Sequence, residues 1–326
     1  MKTPAFWQSN TPISQLLAPL AWLYGIGARV DRLCHTPQRA PVPVISIGNA
    51  TAGGTGKTPT AMALVPLLNT LGFTPHILTR GYSGSSTLAA HRVEPATDDW
   101  HQVGDEALLL ARAAPTWVGR DRLTSAQAAS NAGATVVICD DAHQHHRLHK
   151  DISLLVVDGP AGIGNARLLP AGPLREPWAE ALARSHAVIL IGEDMHHCTR
   201  DLPIPVFRAS LQPATDTAFL TRHPWMAFAG IGRPEKFFET LREYGATLAA
   251  THCFPDHHRY RTREITALLE TARAQNTPLI TTEKDAVKLP PELRDAVQTL
   301  PIRLVLEDTM ALAYFLEERL KPEKLT

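Results

Sequence analysis

The chain has 326 residues, 44% hydrophobic and 20% charged, an ordinary globular composition with enough apolar material for one large domain or two smaller ones. Lysine plus arginine and aspartate plus glutamate both number 32, so the chain lacks the basic field of a general nucleic-acid binder, and we expect no nucleic-acid partner. Its four cysteines are scattered without a C-x-x-C pair, which is typical of a reduced, cytosol-facing protein.

The N-terminal segment, residues 1–40, is unusual because residues 3–28 include no charged residue. Its apolar run Leu16–Ile26 is interrupted by a proline and is shorter than the roughly 20 residues that a membrane-spanning helix needs. No convincing cleavage site follows, which argues against a secretory signal. Trp22 and Tyr24, with arginines behind them, predict a helix that lies in a membrane interface. The alternative is a helix packed in the core of the domain.

A glycine-rich turn stands between a predicted strand, Val42–Ile47, and a predicted helix, Pro59–Leu68. Strand, glycine-rich turn, Gly-Lys-Thr and helix is the order typical of a phosphate-binding loop, although the usual pattern has Gly where Thr51 stands. Its backbone N–H groups can surround phosphate oxygens, Lys57 can reach the β- and γ-phosphates, and Thr58 can hold Mg²⁺. The predicted nucleotide-binding residues are Thr51, Ala52, Gly53, Gly54, Thr55, Gly56, Lys57 and Thr58. A plain glycine-rich turn is the alternative.

Strands and helices alternate after this loop, which predicts an α/β fold with a doubly wound, mostly parallel sheet of the P-loop NTPase type. The predicted strands are short and continuously apolar, as strands buried on both faces are. They are Pro75–Thr79, Ala134–Cys139, Ile152–Val157 and His186–Ile191. The predicted helices between them are Asp105–Ala114 and Arg120–Asn131. We assign residues 41–222 to this P-loop core and expect its ligand at the carboxyl ends of the strands.

Residues 223–326 predict a smaller C-terminal α/β subdomain hinged to the core. The segment before it, residues 208–222, is polar and has no clear period. The predicted elements are the strand Trp225–Gly230, the helix Pro234–Tyr244, the loop His252–Tyr260, the helix Thr262–Ala274, the strands Leu279–Thr282 and Ile302–Leu306, and the helix Thr309–Leu320.

The apolar strand ending in Cys139 is followed directly by Asp140 and Asp141. In P-loop proteins a carboxylate at a strand end holds or orients Mg²⁺, so we predict that both aspartates bind the metal together with Thr58. Solvated carboxylates at a strand end are the alternative. The histidine-rich run 143–149 is compatible with a metal-binding tract, but we favour a polar loop.

Two further segments could carry out proton transfer. Asp105 opens a predicted helix, where an acidic residue is also expected from the helix dipole alone. Asp256, His257 and His258 lie in one loop, and an Asp–His pair can orient an imidazole for proton transfer.

Arginine side chains offer candidate phosphate contacts. Arg175 ends a loop punctuated by Pro and Gly, and Arg120 lies in a second arginine-containing turn. Because arginine binds phosphate bidentately, we predict both as substrate contacts, with structural turns as the alternative.

Together these motifs resemble the tetraacyldisaccharide 4′-kinases, the lipid A 4′-kinases of Gram-negative bacteria. The resemblance runs through most of the chain, and each motif is weak alone but specific in this order. The motifs are Ile47–Pro59, Thr79–Tyr82, Gly104–Glu106, Gly164–Pro177, Asp256–His258 and Thr281–Leu289. The family also has Thr at the first P-loop position.

The resemblance implies ATP-dependent phosphorylation of the 4′-hydroxyl of a tetraacylated glucosamine disaccharide 1-phosphate, which gives lipid IVA in lipid A biosynthesis. It implies ATP and Mg²⁺ as cofactors. It also implies a peripheral or monotopic enzyme on the cytoplasmic face of the bacterial inner membrane, and we expect a monomer.

The resemblance also assigns roles to residues. It implies that Asp105 is the catalytic carboxylate and that it works with a histidine of the Asp-His-His motif, for which His257 is our choice and His258 the second. One partner on each subdomain would couple chemistry to domain closure. Arg175 and Glu176 match residues near the lipid substrate.

This chain departs from the family pattern after the metal-binding strand. The family usually reads Asp-Asp-Gly-Phe-Gln-His, whereas this chain reads Asp140-Asp-Ala-His-Gln-His145. Ala142 removes a flexible glycine and His143 replaces an aromatic side chain, so the local packing is expected to differ.

Three rival functions are distinguishable. A metal-delivering P-loop GTPase would carry an Asn-Lys-x-Asp box, to which only Thr282–Asp285 comes near. A partitioning-type ATPase would carry Lys at the position of Ala52. A soluble small-molecule kinase would bury the uncharged N-terminal helix in its core.

Overall fold

A computed structural model describes residues 4–82, 84–85 and 89–321, so the ends of the predicted segments 1–40 and 223–326 lie outside the described residues. The strands, in chain order, are β1 (Val44–Gly48), β2 (Pro75–Thr79), β3 (His91–Arg92), β4 (Thr116–Val118), β5 (Val136–Cys139), β6 (Ile152–Asp158), β7 (Ala187–Ile191), β8 (Val206–Pro213), β9 (Trp225–Ala229), β10 (Leu248–Cys253), β11 (Leu279–Thr282), β12 (Gln298–Leu300) and β13 (Ile302–Leu306). The helices are α1 (Pro12–Leu16), α2 (Ala18–Leu33), α3 (Lys57–Thr70), α4 (Trp100–Val103), α5 (Asp105–Leu110), α6 (Arg122–Asn131), α7 (Trp178–Ala183), α8 (Pro234–Glu243), α9 (Thr262–Ala274), α10 (Glu283–Ala286) and α11 (Thr309–Leu320).

The larger sheet contains, within the described residues, nine strands in the order β13-β8-β7-β6-β1-β5-β2-β4-β3. Its seven inner strands are all parallel, and β13 and β3 pair antiparallel at the two edges. β1 lies at the centre, where Ile45 is in register with Ile138 of β5 and Ile152 of β6. Every residue of β1, β2, β6 and β7 is buried, as in a sheet covered on both faces.

Helices cover both faces of this sheet. On one face α3 and α11 pack through a core that contains Leu64 and Leu316. On the other face α6 contributes Ala126 and α7 contributes Ala181. The predicted doubly wound α/β fold is therefore confirmed, and we call this sheet with its helices the P-loop core.

A second sheet forms the smaller subdomain, which comprises β9 to β12 with α8, α9 and α10. Its strands are parallel in the order β10-β9-β11-β12. α8 packs Phe237 and Leu241 on one face, and α9 packs Ile265 and Leu269 on the other. The sequence therefore predicts the existence and class of this subdomain correctly.

The bounds of the smaller subdomain differ from the predicted range 223–326. β13 and α11 return to the P-loop core, where Val305 of β13 is in register with Ser210 of β8. The sequence predicts no strand over residues 208–222, yet β8 occupies the first part of that segment because its polar and apolar side chains alternate next to the sheet edge. The predicted loop 252–260 also begins too early, since its first two residues end β10.

The N-terminal helices lie on the surface of the P-loop core. Ala21 is buried, but large apolar side chains face outward, with Leu16 80%, Trp22 67% and Leu33 82% exposed. The alternative of a buried core helix is therefore wrong. In the part of the chain that the structure describes, no helix combines the length and the apolarity needed to cross a membrane.

Candidate functional site

The predicted phosphate-binding loop connects β1 to α3 at the carboxyl end of the central strand. Gly53 and Gly56 have φ angles of 119° and 89°, in the left-handed region that favours glycine. A Cβ on Gly56 would also lie 2.4 Å from the Cδ1 atom of Ile191, so a side chain there would require Ile191 to move. α3 begins at Lys57, and the N–H groups of its first turn lie at the end of the loop.

The segment 164–177 braces the phosphate-binding loop from the side. The backbone N–H of Ala52 donates to the carbonyl of Pro173 at 2.7 Å, and the N–H of Arg175 donates to the carbonyl of Ala50 at 2.7 Å. These two bonds bring the predicted substrate residue Arg175 directly beside the loop.

The three predicted metal ligands meet next to Lys57. The Thr58 hydroxyl donates to Oδ2 of Asp140 at 3.3 Å, and Nζ of Lys57 lies 3.5 Å from Oδ1 of Asp141. Lys57 also donates to Oδ1 of Asn49 at 3.1 Å. Asp140 is 1% exposed, and its Oδ1 atom has no hydrogen-bond partner among the described residues.

The two aspartates have opposite electrostatic environments. Burial raises the pKa of Asp140 to about 7, and the negative charge of Glu106 adds to that rise. Burial would also raise the pKa of Asp141, but the cationic groups of Lys57 and Arg175 outweigh it and lower that pKa. A divalent cation would satisfy the unpartnered oxygen of Asp140 and favour its ionised form.

Magnesium in proteins is commonly held by one or two carboxylates together with substrate phosphates. Among residues 4–82, 84–85 and 89–321, no group of three or more His, Cys, Asp or Glu side chains is arranged to hold a metal ion by itself. Thr58, Asp140 and Asp141 therefore fit a metal that arrives with a nucleotide. The histidine-rich run 143–149 does not form a metal site.

Asp105 and His257 come together from the two subdomains, although 152 positions separate them in the chain. Asp105 begins α5 and is 1% exposed, and Nδ1 of His257 lies 3.0 Å from its Oδ2 atom. Burial would raise the pKa of Asp105, but the hydrogen bond from His257 and the charges of Lys284 and Lys288 lower it. Because the ionised carboxylate can only accept, Nδ1 carries a proton, and in the neutral imidazole Nε2 is the proton acceptor.

The neighbouring histidine has a different partner. Nε2 of His258 lies 3.2 Å from Oε2 of Glu264, and its ring is 4.7 Å from that of Phe254, both within the smaller subdomain. His257 has a φ angle of 56°, a left-handed conformation within the turn that carries it towards Asp105. The geometry therefore favours His257 over His258 as the partner of Asp105.

A second contact between the subdomains was not predicted from the sequence. Arg233, at the start of α8, donates to the carbonyl of Gly54 at 3.1 Å and forms an ion pair with Asp158, which Lys236 approaches to 3.5 Å. Asp158 ends β6 on one side of β1, as Asp140 follows β5 on the other side. The position of Asp158 at the end of an apolar strand could have identified it as a candidate site residue. No sequence pattern distinguishes Arg233.

The predicted substrate residues are placed differently from one another. Nη1 of Arg175 lies 3.3 Å from Oδ1 of Asp141, and buried Glu176 accepts a hydrogen bond from Gln144 at 2.9 Å. Arg120 is exposed in the turn after β4 and forms no ion pair among the described residues. The structure thus brings Arg175 and Glu176 to the site, while Arg120 remains at its periphery.

A cavity of about 420 Å³ lies between α2 and the segment 164–177. Tyr24, Arg29 and Arg32 of α2 line one side, and Arg175 and Glu176 line the other. The cavity therefore lies between α2, which carries exposed apolar side chains, and Arg175, which contacts Asp141. Cationic groups beside an apolar surface suit an amphiphilic ligand that carries phosphate.

The unusual residues after β5 are both buried. The N–H of Ala142 donates to the carbonyl of Ile47 at 3.0 Å. Nε2 of His143 lies 3.7 Å from Oε1 of Glu176, and Nδ1 lies 3.4 Å from the Ser153 hydroxyl. Burial lowers the pKa of His143 to about 4, so its ring is neutral near pH 7. The His143 imidazole is therefore a polar but uncharged neighbour of the Glu176 carboxylate.

Known proteins resemble this chain over nearly its whole length. A family model described as tetraacyldisaccharide-1-P 4′-kinase matches residues 13–321. A tetraacyldisaccharide 4′-kinase of Paramagnetospirillum magneticum is 47% identical over 307 residues, which cover 93% of this chain and 94% of that protein. One of Rhodospirillum centenum is 48% identical over 318 residues, with 94% of both chains covered. The crystal structure of LpxK from Aquifex aeolicus in complex with ATP has a TM-score of 0.77 and 26% identity, covering 94% of this chain and 99% of that one.

Proposed function

This chain belongs to the tetraacyldisaccharide-1-P 4′-kinase family, and we propose that it transfers the γ-phosphoryl group of ATP to the 4′-hydroxyl of a tetraacylated glucosamine disaccharide 1-phosphate. The product would be lipid IVA. The observation that carries this proposal is the contact of Asp105 with His257, because it supplies a proton acceptor for a hydroxyl in a chain that also holds a phosphate-binding loop. The rival GTPase, partitioning ATPase and soluble small-molecule kinase are not favoured by this family membership.

The P-loop grips the triphosphate. Backbone N–H groups of residues 51–58, except that of Ala52, which is bonded to Pro173, would surround the phosphate oxygens together with the start of α3. Lys57 would neutralise charge on the β- and γ-phosphates. Arg233 adds a cation from the smaller subdomain next to Gly54. In the transition state of phosphoryl transfer the negative charge lies mainly on the transferred group. Cationic side chains held close to that group therefore lower the barrier.

Thr58, Asp140 and Asp141 would hold Mg²⁺, which would neutralise negative charge on the phosphates when it is bound. The support is the unpartnered oxygen of buried Asp140 and the Thr58 hydroxyl beside it.

His257 would take the proton of the sugar hydroxyl at Nε2 as that hydroxyl attacks the γ-phosphorus. The bond between the γ-phosphorus and the bridging oxygen breaks, and ADP leaves. Asp105 holds the imidazole through Nδ1 and stabilises the imidazolium that forms. A strong base is not needed, because bonding to the nucleophile is small in the transition state of most phosphoryl transfers.

The acceptor would enter between α2 and the segment 164–177. Arg175 and Glu176 line the cavity there, and we retain Arg120 as a peripheral contact for a phosphate group. The exposed apolar side chains of α1 and α2 would lie in the cytoplasmic interface of the inner membrane, where the acyl chains of the acceptor are anchored. We propose a peripheral or monotopic monomer.

A transfer assay tests this function. The full chain in detergent micelles is incubated with γ-labelled ATP, magnesium and a tetraacyldisaccharide 1-phosphate, and the lipid product is separated by chromatography. We expect one label per acceptor, no label on an acceptor whose 4′-hydroxyl is blocked, and no transfer by a Lys57→Ala variant. Label on the blocked acceptor, or no label on any acceptor, would contradict the proposal.

A further inference from the structure

The motif Thr281–Leu289 has no part in the chemistry described above, yet two of its lysines reach from the smaller subdomain to the first turn of α5. Nζ of Lys284 donates to Oε1 of Glu106 at 2.8 Å. Nζ of Lys288 lies 3.9 Å from Oδ2 of Asp105. Two successive carboxylates of the P-loop core therefore each face a lysine of the smaller subdomain.

Lys288 is an unusual lysine because it is 2% exposed. Its ammonium forms an ion pair with Oδ1 of Asp285 at 2.8 Å and donates to the carbonyl of Gly230 at 3.3 Å. Asp285 is itself fixed, since it accepts hydrogen bonds from the N–H of Gly230 and from the Tyr260 hydroxyl, both at 3.0 Å. A buried ammonium is costly unless it is paired in this way, and a well-paired one has a defined position.

Lys288 contacts both groups that fix His257. The carbonyl of Gly230 accepts from the backbone N–H of His257 at 3.2 Å as well as from Lys288. Oδ2 of Asp105 is approached by Nδ1 of His257 at 3.0 Å as well as by Lys288. Lys288, Gly230, His257 and Asp105 therefore form a closed ring of contacts. A Cβ on Gly230 would lie 2.7 Å from the Tyr260 hydroxyl, so this ring depends on a glycine at position 230.

We propose that Lys288 is a positioning residue for the phosphoryl transfer: its ammonium keeps the Asp105 carboxylate ionised and aligned, so that His257 presents a free Nε2 to the acceptor hydroxyl. The inference rests on the proposed function, since it assigns a role within the same site. Lys288 does not contact substrate in this arrangement and acts through Asp105.

The charged groups around Asp105 and His257 determine how the loss of Lys288 should change the pH dependence of turnover. Asp105 faces His257, Lys284 and Lys288 from the smaller subdomain, and Glu106 follows it in the chain. Oδ1 of Asp256 lies 3.9 Å from Nε2 of His257. The acid limb of turnover reports the coupled titration of Asp105 and His257. Removing the Lys288 cation favours protonation of this pair, so activity that needs its proton-accepting form is lost at a higher pH as the solution is acidified.

The test is the pH profile of kcat for a Lys288→Met variant. We expect turnover to fall about tenfold or more and the acid limb to move up by roughly one pH unit, with the KM for ATP nearly unchanged. The matched control is Arg112→Ala, which removes a different ion pair between the subdomains, to Glu283 at 3.5 Å. The control should keep the wild-type acid limb. An unmoved acid limb in Lys288→Met would overturn the inference.

Two further variants guard against simple misfolding. Lys288→Met combined with Asp285→Asn leaves no unpaired buried charge from that pair, and it should show the same shift of the acid limb. In an Asp105→Asn background, Lys288→Met should cause little further loss of turnover, because its target carboxylate is gone. Fully additive losses would mean that Lys288 does not act through Asp105.

A titration without acceptor separates this inference from the proposed function. Nuclear magnetic resonance of the full chain follows the coupled titration of Asp105 and His257 in the wild type and in Lys288→Met. A shifted acid-side midpoint supports the inference even if the wild type transfers no phosphate to the lipid, which would overturn only the proposed function. An unshifted midpoint would overturn the inference even if transfer is observed.

Discussion

The carboxylates of Asp140 and Asp105 are both almost fully buried, but their environments are completed in opposite ways. Asp140 is held by its own sheet: Thr58 donates to one oxygen, and the other oxygen has no partner among the described residues. Asp105 is surrounded by groups from the smaller subdomain, with His257 at 3.0 Å and Lys288 at 3.9 Å. Burial therefore dominates at Asp140 and raises its pKa, whereas the hydrogen bond and the cations dominate at Asp105 and lower its pKa.

The two carboxylate clusters should therefore depend on different partners. The Asp140 cluster is assembled inside the P-loop core, and we propose that a cation supplies the missing partner of its carboxylate. The Asp105 cluster is assembled where the smaller subdomain meets the P-loop core, so we propose that its proton transfer depends on closure of the two. Substitutions in the first cluster should change the response to magnesium, and those in the second should change proton transfer.

The largest expected effect separates the two histidines of the second cluster. Removing the base with His257→Ala should reduce turnover about a hundred- to ten-thousandfold, as expected for loss of general base catalysis. His258→Ala is the matched control, because the contacts it loses, with Glu264 and with the rings of Phe254 and Tyr260, all lie inside the smaller subdomain. Single-turnover rates with ATP prebound measure both. Equal losses in the two variants would mean that the Asp105 contact does not select the base.

A loss of intermediate size is expected at Asp140. Asp140→Asn removes the charge that the unpartnered oxygen would offer to magnesium, and turnover should fall roughly a hundred- to a thousandfold. The magnesium concentration for half-maximal rate should rise, which a titration at saturating ATP measures. Asp121→Asn is a suitable control, since Asp121 caps α6 and asparagine caps a helix equally well. An unchanged magnesium requirement in Asp140→Asn would remove Asp140 from the metal site.

The contrast between the clusters also explains what could be predicted from the sequence. The strand, loop and helix around Lys57 are contiguous in the chain, and Asp140 follows an apolar strand, so local patterns place both at the same edge of a parallel sheet. Asp105 and His257 lie on different sheets, and local patterns identified each as a candidate without indicating their contact, for which the resemblance was needed.

Other features carry no local signal at all. Lys288 is an ordinary lysine by composition, and only the folded chain shows it buried between Asp285 and Asp105. β8 escaped prediction because a strand next to the edge alternates polar with apolar residues, and the return of β13 to the P-loop core is a matter of topology rather than of pattern. Long-range pairing of this kind is not encoded in any short window of the sequence.

The smallest expected effect concerns the side of the Asp140 cluster that carries His143. Its pKa is lowered from 6.5 to about 4 by burial, so the unfolded chain binds the proton more tightly, and stability falls as the pH drops from 6.5 towards 4. His143→Phe, which restores the ring expected from the family pattern, should make this fall shallower by up to about 1.4 kcal/mol per pH unit. Urea unfolding between pH 4 and 7 measures the slope, with His149→Gln as a half-exposed control. Identical slopes in wild type and His143→Phe would show that this imidazole accepts a proton in the folded protein as readily as in the unfolded chain.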